Sequence, residues 1–336
     1  MSFLNTPIKI GRLELKNRLV MPPMATSLAS ETGEVTKSIC DYYDEKSAGG
    51  YIGLIITEHS YVSEEGKVRK EQLSIAKDED VAGLQRLVDL IHKNGSKVIA
   101  QINHAGGAAN PQITGYSASY SASAVKMPKF PAVPKEMTLQ DIEKVIHDFA
   151  AAAVRAKKAG FDGVEIHSAH GYLLNQFYSP LTNKRTDAYD ASTMANRLRL
   201  HTEIIRAVRS AVEQEYPVAL RLGACDCDYR ESGSTVEDAV EAAKILEQTG
   251  IDLLDVSGGF CGYVRPGVQE QGYFQELTEA IKKVVDIPVI LTGGITESRA
   301  AEALLKSNKA DLIGVGRAIL KDSLWAKEAI LTSRQE

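Results

Sequence analysis

The sequence predicts an α/β protein, a (β/α)8 TIM barrel in a single domain. Three observations carry that prediction. Eight short runs rich in Val, Ile and Leu recur along the 336 residues, each is followed by a stretch with helical spacing, and the runs are continuous rather than alternating. A continuous apolar run marks a strand buried on both faces, as in a parallel sheet covered by helices. Eight strand and helix units in a chain of this length match a barrel. The doubly wound alternative is the weaker one, because no GxGxxG follows the first run.

In order, the runs are RLVMPP around Leu19, YIGLIITE from Tyr51, SKVIAQIN from Ser96 and GVEIH from Gly163. They continue with VALRLG from Val218, LLDVSG from Leu253, PVILTGG from Pro288 and DLIGVG from Asp311. The spacing predicts a helix over Val81 to Asn94 that ends at Gly95. It predicts another over Leu139 to Lys158, starting behind Thr138 and stopping at Gly160. No linker or composition shift divides the chain, so residues 1–336 are expected to form one domain. Two segments are too long for routine connections: 104–137, rich in Gly, Ser, Ala and Pro, and 171–195. Both leave the C-terminal ends of strands, the face on which this fold builds active sites.

Composition narrows the function classes. Hydrophobic residues at 44% and charged residues at 25%, with no apolar run of membrane-spanning length, predict a soluble protein without membrane association. The N-terminus MSFLNTPIKI lacks the pattern of a secretory signal, which predicts a cytoplasmic location. A net charge of −5 with scattered basic residues gives no footprint for nucleic acid. The four cysteines, Cys40, Cys225, Cys227 and Cys261, fit neither a zinc site nor a disulfide scaffold. Cys225 and Cys227, one residue apart, are expected to be reduced thiols.

The strand ends collect the residues with chemistry. They are Pro22, Pro23 and Met24 on the first, Glu58 and His59 on the second, and Gln101, Asn103 and His104 on the third. The fourth ends in His167 and His170, the fifth carries Arg221, and the last two end in Gly293 with Gly294 and Gly316 with Arg317. A glycine pair permits a tight turn, but two such ends on adjacent strands, one followed by arginine, fit a phosphate. Arg221 interrupts an apolar strand and needs an anion, either Glu165 or Asp255 or a bound electron-rich ring. Gln101 needs partners for its amide, from a cofactor edge or from neighbouring backbone. His167 and His170 could bind a metal, pack as satisfied polar groups, or together grip one oxygen that gains negative charge. Tyr172 then serves as a proton donor or packs beneath the next loop.

LKNRLVMPPM, QINHAG, GFDGVEIHSAHGYLLNQFYSPLTNKRTDAY and DLIGVGRAIL together resemble the old yellow enzyme family of FMN-dependent ene-reductases, from about Ile8 to Leu320. The resemblance implies FMN at the barrel mouth and NADH or NADPH as electron donor. It implies an α,β-unsaturated carbonyl or nitro compound as the small-molecule substrate. Pro23, Met24, Ala25, His59, Gln101 and Arg221 would line the isoalloxazine, and Gly293, Gly294, Gly316 and Arg317 the phosphate. His167 and His170 would hold the substrate oxygen, and Tyr172 would be the catalytic acid. Ala25 stands where members often carry Cys or Thr, His59 where a small residue is usual, and YDASTMANR is one residue longer than its counterpart. No cysteine follows Cys261, so electrons are expected directly from the nicotinamide, and Arg334 is the one candidate for an arginine reaching a neighbouring subunit; homo-oligomerisation is left open. Two alternatives remain: a flavin-binding NAD(P)H oxidase or diaphorase without a specific enone substrate, and a metal-dependent barrel lyase or hydrolase.

Overall fold

A computed structural model describes residues 2–227, 232–265 and 267–332. Its centre is a closed parallel barrel of eight strands: β1 Leu19–Met21, β2 Leu54–Ile56, β3 Lys97–Asn103, β4 Gly163–Ser168, β5 Val218–Cys225, β6 Leu253–Gly258, β7 Val289–Thr292 and β8 Leu312–Gly314. Each strand pairs with its neighbour in sequence, and β8 closes on β1 through Ile313 opposite Leu19. All eight runs form these strands. β1 stops at Met21 because Pro22 and Pro23 have no N–H for the ladder.

Strand alternation decides what the barrel holds. Val20, Leu54, Ile56, Ile99, Ala219, Leu253, Ile290 and Leu312 form one inner cluster, and Ile10, Leu13 and Leu15 join it from an N-terminal hairpin, Ile8–Ile10 paired with Leu13–Leu15. The hairpin plugs the N-terminal end. Two residues further along the same strands come Gln101, Arg221, Asp255 and Thr292, so the interior passes from an apolar floor to a polar layer beneath the mouth.

Helices seal the outer faces. Asp80–Asn94 buries Leu84, Leu87, Val88 and Ile91 and ends at Gly95 with φ 96°. Leu139–Lys158 starts with a capping box between Thr138 and Asp141 and buries Ile142, Val145, Phe149 and Ala153. Of the two long segments, 104–137 carries a short ladder, Tyr120–Ser121 with Lys135–Glu136, and 171–195 carries the helix Leu173–Tyr178. Arg185 ties the two together: Nη1 donates to the carbonyls of Ala122 and Met137, and the guanidinium pairs with Asp187. Beyond the expected His59, the segment after β2 also brings Arg69 to the mouth and the segment after β6 brings Tyr263 and Tyr273, which the sequence did not signal.

Cys225 and Cys227 correct the expectation of reduced thiols: a disulfide joins them, with Cα atoms 5.4 Å apart. The buried carboxylate of Asp226 bends the chain between them, accepting from Ser179 Oγ and from the backbone N–H groups of Ser234 and Phe260. Arg334 lies outside the described residues.

Candidate active site

A cavity of about 320 Å³ opens at the C-terminal mouth. Its wall takes Pro23, Met24 and Ala25 from the end of β1, His59 from β2, Gln101 from β3, and His167, His170 and Tyr172 from β4 and the turn beyond it. Arg221, Gly294, Gly316 and Arg317 complete the far side. Residues from seven different strand ends therefore meet in one place. Gly293 is the exception: its carbonyl accepts from the N–H groups of Gly272 and Tyr273, so it anchors the 259–274 segment one step behind the wall.

The turn after β4 shows why two histidines stand three apart. β4 ends at Ser168, and the chain reverses through His170 with φ 61° and Gly171 with φ 77° before entering Leu173–Tyr178. A positive φ is uncommon for a residue with a Cβ and persists where surroundings enforce it. Here Asn175 accepts from the Gly171 N–H at 2.7 Å, and Gln176 donates to the Gly171 carbonyl at 2.7 Å. The reversal sets the rings of His167 and His170 edge to face with centroids 5.2 Å apart, and Tyr172 meets His167 at the same separation.

Each histidine commits one nitrogen to the protein. The Ala169 N–H donates to His167 Nδ1 at 3.2 Å, which places the proton of a neutral ring on Nε2. His170 Nε2 shares a hydrogen bond of 2.8 Å with Ser257 Oγ, leaving Nδ1. Burial is the first cause holding both rings well below the usual histidine range; next come the neighbouring ring for His167 and Arg221 for His170. Both are neutral at pH 7. Burial likewise raises the Tyr172 hydroxyl, which stays protonated, while Arg69 opposes that shift.

Beneath them lies the polar layer. Arg221 Nε sits 3.1 Å from Asp255 Oδ2, so Asp255 rather than Glu165 is its carboxylate. Gln101 Nε2 donates to Glu165 Oε2 at 2.6 Å. Burial raises both Glu165 and Asp255; the Asp255 charge adds to the rise at Glu165, and Arg221 opposes it at both. On the far side Gly294 has φ 66°, and a Cβ there would stand 2.6 Å from the Tyr273 ring. Arg317 Nη2 reaches the Tyr273 hydroxyl at 3.4 Å.

A profile of the NADH:flavin oxidoreductase / NADH oxidase family matches residues 3–333. An old yellow enzyme homologue from Zymomonas mobilis superposes with a TM-score of 0.86 at 26% identity, over 98% of this chain and 92% of that one. The chain belongs to the old yellow enzyme family. The old yellow enzyme family comprises NAD(P)H:flavin oxidoreductases with FMN as cofactor. Among relatives, an NADPH dehydrogenase of Halalkalibacterium halodurans is 39% identical over 318 residues, 94% of this chain and 90% of that protein. An NADH oxidase of Thermoanaerobacter brockii is 42% identical over 326 residues, 96% of this chain but 50% of that protein, so the chain spans half its length.

Sequence reasoning missed several residues of this old yellow enzyme cavity. Arg69, Tyr263, Tyr273, Thr292 and Thr296 also line it. Arg69 lies in the charged stretch EEGKVRKE, which reads as a solvated loop, and the two tyrosines sit in a segment without strand or helix period. Thr292 was within reach, as the polar residue closing an apolar strand. Among the described residues no helix is long and apolar enough to cross a membrane.

Proposed function

We propose that this chain reduces the activated C=C bond of α,β-unsaturated carbonyl or nitro compounds with electrons from NADH or NADPH. One observation carries the reading: two neutral imidazoles, His167 buried and His170 half-buried, each spend one nitrogen on the protein and stand side by side on a cavity wall next to a protonated tyrosine. Such a pair suits an oxygen that becomes negative during reaction.

The residues present fit FMN. Pro23 and Met24 offer an apolar surface for a flat ring, Gln101 keeps Oε1 for a ring N–H, and Arg221 supplies a buried cation. Gly294 and Gly316 leave bare backbone beside Arg317, as a phosphate requires. When bound, FMN supplies hydride acceptance from the nicotinamide and hydride donation to the substrate β-carbon.

The chain's own residues do the rest. His167 donates from Nε2 and His170 from Nδ1, with the Ser257 hydroxyl donating to His170 Nε2, and both bonds strengthen as the substrate oxygen gains charge. Tyr172 releases its proton to the α-carbon, and Arg69 eases the phenolate that results.

Anaerobic titration tests this reading. The yellow protein is expected to bleach with NADH or NADPH and recover its colour with cyclohexenone. Tyr172→Phe should bleach as before but recover at least 10-fold more slowly, within the range for loss of a general acid. Recovery by oxygen alone, with indifference to the enone, would replace the proposal by a diaphorase activity.

A further inference from the structure

His59 lies where β2 opens into the mouth. It is 8% exposed and lines the cavity. One side chain holds its ring: Gln72 Nε2 is 2.8 Å from His59 Nδ1 and 3.2 Å from the His59 carbonyl oxygen. The orientation of that amide is settled separately, because the backbone N–H of Val68 donates to Gln72 Oε1 at 2.8 Å. Oε1 is therefore the acceptor and Nε2 the donor. A donor facing Nδ1 needs a lone pair there, so the proton of the neutral ring sits on Nε2. Burial, reinforced by Arg69 and Arg221, pushes the ring down to about 4 and keeps it neutral. Nε2 has no hydrogen-bond partner among the described residues.

The neighbours of β2 say what this N–H meets. β2 pairs with β1 on one side and β3 on the other, and these bring Pro23, Met24 and Ala25, and then Gln101, to the cavity. The end of β1 carries no side-chain donor at all. His59 thus fills the position between the apolar surface and the amide that the FMN reading assigns to the ring, with its ring centroid 5.5 Å from that of Tyr172 and 6.3 Å from that of His167.

We propose that His59 Nε2–H is a side-chain donor that this chain presents, in addition to Arg221, to an acceptor atom of the FMN ring, and that it binds the electron-rich reduced ring more strongly than the oxidised one. The proposal rests on FMN occupying this cavity. The bond needs no reorganisation on reduction, because Gln72 and Val68 have already chosen the tautomer.

Two measurements test it. In the wild-type protein freed of FMN, the 15N shifts of the His59 ring, assigned by their loss in His59→Phe, should show a protonated Nε2 and a bare Nδ1 at pH 7.5. The opposite tautomer, or a doubly protonated ring, overturns the proposal. In the FMN-loaded proteins, His59→Phe keeps an aromatic ring and removes the donor. Its ratio of reduced to oxidised FMN affinity should fall about 10-fold, a drop of about 30 mV in the two-electron potential measured by equilibration with a reference dye. An unchanged potential with FMN bound overturns the proposal alone; a wild-type protein that takes up no FMN overturns the cofactor reading as well.

Discussion

At the scale of single residues, the site depends on rings that burial keeps uncharged. A hydrogen bond to a charged group contributes about 1.5–3 kcal/mol. Replacing both His167 and His170 with Ala should therefore weaken binding of phenolate ligands by at least 100-fold while FMN content stays at the wild-type level, as read by flavin absorbance during titration. Undiminished phenolate binding would remove the oxyanion role. Gly294 is constrained differently: its φ of 66° and the Tyr273 ring, 2.6 Å from where a Cβ would stand, both oppose a side chain. Left-handed backbone costs an L-residue about 1–2 kcal/mol. Gly294→Ala is expected to lower FMN affinity at least 10-fold, measured by fluorescence recovery on dilution, with secondary structure retained.

At the scale of elements, the turn after β4 and the clamp between the two long segments place the chemistry. Arg185 serves both segments through two carbonyls and Asp187, and it packs over the rings of Phe177 and Tyr189. Lysine carries the charge without the fork. Arg185→Lys should speed proteolysis within 104–137 several-fold and raise the enone KM more than it lowers kcat. Equal cleavage rates would show that the segments hold themselves. By contrast Thr138→Ala removes one half of a capping box far from the mouth. It should cost about 1 kcal/mol in urea denaturation and leave turnover alone.

At the scale of the molecule, buried titratable groups set the response to pH. His59, His104, His167, His170 and His201 are all held below the ordinary histidine value of 6.5, first by burial, with His59 and His104 near 4 and His201 near 3. Their contribution is complete above pH 6.5 and is lost as pH falls toward 4, because the unfolded chain takes up protons the folded one refuses. Glu58, Asp80, Glu165 and Asp255 are raised by burial and act in the opposite sense. Five histidines outnumber four carboxyls. Stability should therefore fall between pH 6.5 and 5 by up to about 1.4 kcal/mol per pH unit, the value of one net proton. Urea midpoints at pH 7 and pH 5 check this, and a midpoint that does not fall would mean that the histidines are charged in the folded state.

The sequence by itself determined the barrel, because a strand buried on both faces must be apolar along its length, and eight such runs with helices between them have few ways to bury both faces. It also placed His167, His170, Tyr172 and the glycine ends at strand termini and Arg221 inside the fifth strand, and the barrel's closure makes the C-terminal ends of its strands converge on one mouth. Only the tertiary structure decided the pairings. Whether Arg221 meets Glu165 or Asp255 depends on the stagger between strands, and the tautomer of His59 depends on Gln72 and on the N–H of Val68, which the run itself does not contain. Loops without period, such as the one bearing Tyr263 and Tyr273, and the bend at Asp226 that joins Cys225 to Cys227, are set by contacts between distant segments. Local spacing carries no record of such contacts.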